Sequence, residues 1–339
     1  MLEGRRWISN FYVPVSRSNF QFRVSTVKII HMELSIIILN YNTKDLTVNC
    51  INAVYEQYED ELKKGKFEIV LVDNASTDGS VTAIKKLTGS NVNGLKSKEH
   101  FNILTSNSLT VIESRENLGF AKGCNLGARK AKGKYLLFLN SDTQIKDKGF
   151  LRMLEFIRIN GRAGILGGKL KTSSGKNQPS AGKFYTLPNL LITLLGGERL
   201  GLLKKSPAKI SKADWVSGAC LMVKKEVFEK VGGFDEELFM YMEDMELCLK
   251  AKRAGYLTYF YPDISLLHMD QGSSNRTFAI IHIYEGILHF YKKYMPHWQY
   301  GIAKLMLYSK ALFIKNIGKI VHNKYYINTY EEALEFLKK

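Results

Sequence analysis

The sequence predicts an α/β fold, a doubly wound and mostly parallel sheet with helices on both faces, followed by a basic helical appendage. Three observations carry that reading. Short apolar runs rich in Ile, Val, Leu and Phe recur at residues 34–39 (LSIIIL), 67–72 (FEIVLV), 109–113 (LTVIE) and 134–139 (KYLLFL). Segments of helical spacing lie between them, at 46–58, 81–87 and 119–131. Continuous apolar runs mark strands covered on both faces, and strands alternating with helices close into parallel sheets.

The elements follow in order. Residues 74–80 (NASTDGS) have turn chemistry, and the polar stretch 88–107 reads as a surface insertion. Beyond residue 142 the alternation weakens: 171–182 is a loop rich in Ser, Gly and Lys, and 187–203 (LPNLLITLLGGERLGLL) is apolar but interrupted by glycines. That second stretch reads as packing, with a flap on the acceptor side as the other reading. Residues 215–223 (WVSGACLMV) resume strand character, followed by a helix at 225–231, a Gly232-Gly233 turn and a helix at 244–254 closed by Gly255. In doubly wound sheets ligands sit beyond the carboxyl ends of the strands, so chemistry is expected at 40–42, 73–78 and 140–142.

Composition narrows the partners. Hydrophobic residues make up 45% and charged residues 24% of the 339, which excludes wholesale disorder and fibrous architectures. The formal charge of +17 favours an anion: nucleic acid, an acidic membrane or a phosphorylated small molecule. With no zinc-finger spacing and no aromatic RNA-binding signature, nucleic acid is not expected. Four cysteines, Cys50, Cys124, Cys220 and Cys248, form no CxxC pair and read as packing residues in a reducing cytoplasm. No apolar run approaches the ~20 residues of a membrane span, and no signal peptide is evident. Residues 1–31, with five basic side chains against Glu3, read as a flexible arm or an overlong start.

The chemistry-bearing residues suit transfer of a sugar from a nucleotide diphosphate. That reaction needs the leaving diphosphate neutralised, the acceptor hydroxyl deprotonated, and both held in line. Asn140-Ser141-Asp142 follows directly on a strand and offers hard oxygen ligands for Mg or Mn, although an Asx turn would explain the same residues. Asp73 ends the second strand, where its carboxylate could accept from a base N–H; a plain turn is the competing reading. Gly119, Gly123 and Gly127 share one helical side, allowing close approach to the sheet or to a ribose and phosphate. Glu243 and Asp244 open a helix as caps or as a catalytic base. His268, in LLHMDQGSS, is structural or completes an oxygen-rich metal site.

Together, SIIILNYN, VLVDNASTDGS, ENLGFAKGCNLGA, YLLFLNSD, the long run from WVSGACLMV to LKAKRAGY, and HMDQGSS resemble the family 2 glycosyltransferases of GT-A fold, within them the rhamnosyltransferase-like branch. The likeness covers residues 33–290. It implies a GT-A domain at 32–290, with a nucleotide-binding half at about 32–143 and an acceptor half at about 144–290, and a separate tail at 291–339. It implies that Asp73 and Asn40, with Asn42 beside it, contact the base, and that Asn117, Gly119 and Asn125 border the nucleoside. It implies a DXD-type metal motif at Asn140-Ser141-Asp142 with Asp142 as ligand, His268 in the metal shell, and Asp244 as base with Glu243 alongside. Trp215, Ser217 and Gly218 would line the donor sugar and acceptor pocket. The first motif position is Asn140, which lowers the negative charge of the site.

The expected enzyme is an inverting glycosyltransferase that uses Mn or Mg to move a sugar, such as rhamnose, from a dTDP- or UDP-sugar to a glycan or lipid-linked hydroxyl in cell-surface polysaccharide synthesis. A catalytically silent carbohydrate or membrane scaffold of the same fold is one rival. A sugar nucleotidyltransferase is another, disfavoured because NYNTKD replaces a glycine-rich phosphate loop after the first strand. Between Gly286 and Tyr330 lie seven lysines and no acid, so the tail either meets an anionic membrane or packs its apolar face on the domain. The expected location is the cytoplasm, in solution or at the cytosolic face of a membrane.

Overall fold

The computed structural model describes residues 32–87, 93–96, 101–105, 108–269 and 275–339. The N-terminal arm expected at 1–31, parts of the expected 88–107 insertion, and Gly272, Ser273 and Ser274 lie outside those residues.

The chain opens as β1 (Leu34–Asn40), α1 (Lys44–Lys63), β2 (Phe67–Asp73) and α2 (Ser80–Leu87). Then come β3 (Asn93–Lys96), β4 (Phe101–Thr105), β5 (Leu109–Ser114), α3 (Gly119–Lys130) and β6 (Tyr135–Asn140). Strands β6, β1, β2 and β5 form the expected parallel centre, with β3 and β4 added antiparallel beyond β5. Register positions the site. Asn40 pairs with Asp73 across β1–β2, and Leu39 pairs with Asn140 across β1–β6, so three strands end at one level. Because side chains alternate along a strand, Ile36 and Ile38 enter the core beneath α1, while Ile37 enters the core on the α3 side.

The second half adds β7 (Thr143–Ile145), α4 (Gly149–Ile159), β8 (Ala163–Lys171), β9 (Asn177–Gln178), β10 (Ala181–Gly182) and α5 (Leu187–Leu194). A short 3₁₀ turn (Gly197–Leu200) leads to β11 (Lys204–Lys205), β12 (Ser211–Ala213), β13 (Trp215–Val216), β14 (Cys220–Lys224) and α6 (Lys225–Lys230). Next come α7 (Glu243–Arg253) and β15 (Leu257–His268). Strand β14 inserts antiparallel between β6 and β8, and β15 runs parallel to β8. Strand β8 was hidden in the sequence because Gly164, Gly167 and Gly168 interrupt its apolar pattern. The fold needs small residues there: a Cβ on Gly168 would lie 2.6 Å from the Cys220 sulfur. The run 215–223 is not one strand. It breaks at residues 217–219, so β13 joins a small sheet with β10 and β11 while β14 joins the main one.

Helices α8 (Arg276–Tyr294), α9 (His297–Ile320) and α10 (Lys324–Lys338) complete the chain. The boundary expected near 290 falls inside α8, whose Ile287, Phe290 and Tyr291 are buried in the same core as Ala303, Leu307, Ala333 and Leu337. The inner faces of these helices therefore pack on the domain. Among the described residues, no helix is long and apolar enough to cross a membrane. All four cysteines are buried, and burial pushes the Cys50 and Cys220 thiols up to about 12, as suits packing residues.

Candidate active site

A cleft of about 780 Å³ opens at the carboxyl ends of β1, β6 and β15. One wall rests on a layer of paired polar groups. The buried Asn40 amide donates to Asp73 Oδ2 at 2.6 Å and to Ser76 Oγ at 2.9 Å, while its carbonyl oxygen accepts from Thr43 and Thr47. The other Asp73 oxygen accepts from the Ser76 N–H. Asn42, at φ 53°, closes the same turn by accepting from the Thr77 N–H. Above this layer Asn74 donates to Asn117 Oδ1 at 2.7 Å and accepts from the Leu118 N–H. Asn117 in turn accepts from the Gly119 N–H at the start of α3.

The three glycines of α3 act as steric gaps. Gly119 takes φ +74° and abuts the Phe239 carbonyl. A Cβ on Gly123 would meet Leu39, and one on Gly127 would meet Ile37 and Val72. Of the two sequence readings, close approach to the sheet describes Gly123 and Gly127.

On the cleft floor, β6 and the end of β15 bring Asn140, Asp142 and His268 together. Asp142 Oδ1 lies 3.2 Å from His268 Nε2, and Asn140 Nδ2 lies 3.2 Å from the same nitrogen. His268 Nδ1 meets Gln178 Oε1 at 2.9 Å. With Nδ1–H donating to that amide oxygen, Nε2 carries a lone pair and receives the Asn140 amide. The Asp142 carboxylate oxygen and Nε2 therefore lie side by side in a buried corner, where a divalent cation would take the Nε2 lone pair in place of the Asn140 N–H. This mixed oxygen and nitrogen set fits Mn or Mg.

Across the cleft, α7 begins with the acids. The Asp244 carboxylate accepts from the Gly218 N–H at 3.0 Å and from the Met245 N–H at 2.7 Å. Burial raises its pKa; those N–H groups and the Lys204 ammonium pull it partly back. Glu243 is raised well above the ordinary value, by burial first and by the Asp244 charge second, and among the described residues its Oε2 has no hydrogen-bond partner. Before this helix Tyr241 and Met242 both adopt positive φ, 71° and 72°. Such backbone costs about 1–3 kcal/mol per residue and persists where surrounding packing enforces it. Here Gly286 of α8 supplies the packing, since a Cβ there would lie 2.7 Å from Met242 Cγ.

Of the residues singled out in the sequence, Asn117, Gly119, Asn140, Asp142, Trp215, Ser217, Gly218, Glu243, Asp244 and His268 line this one cleft. Asn40, Asn42 and Asp73 do not; they build the turn behind its wall. Asp73 therefore turns its carboxylate to Asn40 and Ser76 instead of the cavity, because the β1–β2 register sets those groups side by side. Asn125 also lies apart: its amide donates to the Phe234 carbonyl and to Glu236, and its oxygen accepts from the Phe234 N–H, so it pins the turn after Gly233. The cleft also contains residues the sequence reading passed over: Gln178, Tyr185, Glu198, Lys204 and Arg276. They sit in loops or at element ends without periodicity; only the flap reading of 187–203 pointed near them.

A second titratable cluster, Asp235, Glu246 and His289, lies outside the cleft. His289 Nε2 and the Lys293 ammonium each approach Asp235 Oδ2 at 2.5 Å, and Tyr294 donates to Glu246. Its acids are thus engaged by the imidazole, ammonium and phenol of His289, Lys293 and Tyr294, which ties α8 to the domain. The Asp235 carboxyl is held well below its usual range by the hydrogen bonds from Lys293 and His289, which outweigh the burial that would raise it.

A sequence profile described as glycosyl transferase family 2 matches residues 35–232. The N-acetylglucosaminyl-diphospho-decaprenol L-rhamnosyltransferase of Mycobacterium tuberculosis is 29% identical over 222 residues, covering 61% of this chain and 68% of that one. The dTDP-rhamnosyl transferase RfbF of Shigella flexneri is 26% identical over 234 residues, covering 66% and 73%. The fold is shared with the mannosyltransferase PcManGT from Pyrobaculum calidifontis, solved in complex with GDP-Man and Mn2+. The two align with a TM-score of 0.52 at 18% identity, over 90% of this chain and 84% of that one.

Proposed function

Because the chain belongs to glycosyl transferase family 2, a family of glycosyltransferases, we propose that the cleft performs a single in-line displacement with inversion at the anomeric carbon. The donor is a nucleotide diphosphate sugar and the acceptor a glycan or lipid-linked hydroxyl of a cell-surface polysaccharide. The observation that carries this is the convergence of Asp142, His268 and Asp244 on one cavity of about 780 Å³.

Asp244 takes the acceptor proton as the oxygen attacks C1. Its two backbone N–H donors aim the carboxylate, and burial makes it a stronger base than an exposed aspartate. Asp142 and His268 would hold Mn or Mg, which when bound neutralises charge developing on the leaving diphosphate. Gln178 keeps the His268 ring oriented. Asn117 and Gly119 border the nucleoside, and Asp73, with Asn40 and Asn42, acts by holding the turn from which Asn74 reaches Asn117. Trp215, Ser217 and Gly218 form the wall between donor sugar and acceptor. Lys204 and Arg276 add positive charge facing the diphosphate.

The names of the rhamnosyltransferase relatives, one a dTDP-rhamnosyl transferase and one acting on a diphospho-decaprenol, favour a dTDP-linked deoxyhexose as donor and a lipid-linked acceptor. The test is release of nucleoside diphosphate from a panel of dTDP- and UDP-sugars, with and without Mn. Turnover that needs the metal and is selective for one nucleotide supports the reading; a donor panel that is neither bound nor turned over removes it.

A further inference from the structure

Helix α9 has an apolar face on each side. Inward, Ala303, Leu307, Ala311 and Gly318 are buried against the domain and its neighbouring helices. Outward, at 100° per residue, Trp298, Ile302, Leu305, Leu312, Phe313 and Ile320 fall within an arc of about 100°. They stand in solvent: Trp298 is 64% exposed, Phe313 61% and Ile320 78%. A helix apolar on both sides ordinarily has a covering layer on each.

A second exposed apolar segment adjoins α9. Helix α5 packs against α9, and in the stretch from Leu191 to Leu202 the side chains of Leu195 and Leu200 are 78% and 77% exposed. Between those two leucines sits Glu198, which lines the cleft and accepts from the Tyr185 hydroxyl. Charge frames both parts. Lys304, Lys310 and Lys319 border the outward stripe of α9, and Lys205, Lys209 and Lys212 follow the exposed leucines. Glu198 is the single acid between residues 187 and 213, and no acid occurs between Gly286 and Tyr330. The nearby Glu331 of α10 is paired with Lys315 at 2.6 Å.

We propose that the outward face of α9, together with the exposed leucines of residues 191–202, docks on an anionic lipid bilayer and presents the cleft mouth to it. Apolar side chains enter the acyl boundary while the flanking lysines lie among phosphate headgroups. A second copy of the chain fits this face poorly, because self-pairing sets lysine against lysine. The consequence for the acceptor rests on the transferase reading: a lipid-linked acceptor keeps its tail in the bilayer and raises its headgroup past Glu198 to Asp244. The docking surface itself does not depend on that reading.

The test is co-sedimentation of the full chain with vesicles of phosphatidylethanolamine and phosphatidylglycerol, against vesicles of phosphatidylcholine alone. The expected result is binding to the anionic vesicles that weakens with salt. The double variant Leu305→Glu/Phe313→Glu, altered only at exposed positions, is expected to lose at least about tenfold in vesicle affinity. Circular dichroism of that variant should match the parent. Equal vesicle binding by parent and variant overturns the proposal, as does a parent dimer that the variant splits into monomers while neither binds lipid. Nucleoside diphosphate release with a soluble acceptor is measured on the same samples and is expected to be equal in both. Its absence from the parent would strike the transferase reading and leave the vesicle result standing.

Discussion

At the β1–β2 edge of the cleft, the buried polar groups of Asn40, Asp73 and Asn74 are matched to one another at 2.6–2.9 Å and to the turn they shape. At the start of α7, on the opposite wall, Glu243 is also buried but one of its oxygens finds no partner among the described residues, and two successive residues before it hold positive φ. The first region is a scaffold: satisfied polar groups make it rigid and leave little chemical potential for proton transfer. The second keeps two adjacent acids, Glu243 buried and Asp244 half-buried at the cleft wall, where burial raises both and the Asp244 charge raises Glu243 further. The proposed reactive groups sit next to strained backbone, and the strain is held in place by α8 through Gly286.

The comparison is broken most sharply at Asp244. Asp244→Asn is expected to lower kcat by about 10³-fold while donor KM changes by less than about threefold, measured by nucleoside diphosphate release. Retained turnover would make the two walls equivalent and remove Asp244 as the base. The metal corner comes next. Asp142→Asn should weaken activation by Mn by about 10²-fold, and Gln178→Ala by about tenfold through the freed His268 ring, read from metal titrations of activity.

On the scaffold side the effect should appear in stability. Asp73→Ala leaves one N–H of the buried Asn40 amide and the Ser76 N–H without their acceptor and is expected to cost about 2 kcal/mol in chemical denaturation. An unchanged unfolding midpoint would mean that the polar layer is not what holds the turn.

Two smaller effects follow from pH. As the proposed base, Asp244 must be ionised, and its pKa is raised, so kcat/KM should climb with pH along an acidic limb lying above the ordinary aspartate value of ~4. Glu243 binds its proton more tightly folded than unfolded, so native stability falls as pH rises from the unfolded value of ~4.5 through the raised folded one. Glu243→Gln removes that penalty and should raise Tm at neutral pH by about 3 °C. A fall in Tm would show that the charge itself is stabilised in the fold.

Much of the fold was legible because strand signals are local. The runs around Ile36, Ile69, Val111 and Leu137 became adjacent strands, and the residues directly after β1, β2 and β6 lie at the ligand edge. Strand β8 escaped because its packing uses glycines, whose role is visible only once Val216 and Cys220 lie against them. The break at residues 217–219 escaped for a related reason: an unbroken apolar pattern gives no sign that the strand leaves one sheet for another.

By itself, the sequence determined where chain segments must be buried and which carboxylates, amides and imidazole follow each strand, since periodicity and turn chemistry act over a few residues. Tertiary structure alone decided what those groups face. Asp73 turned inward to Asn40, Asn125 went to Phe234, Gln178 came to His268 across 90 positions, and the Gly218 N–H found Asp244. Such pairings are set by sheet register and by helices packed from distant parts of the chain, and no local pattern encodes them.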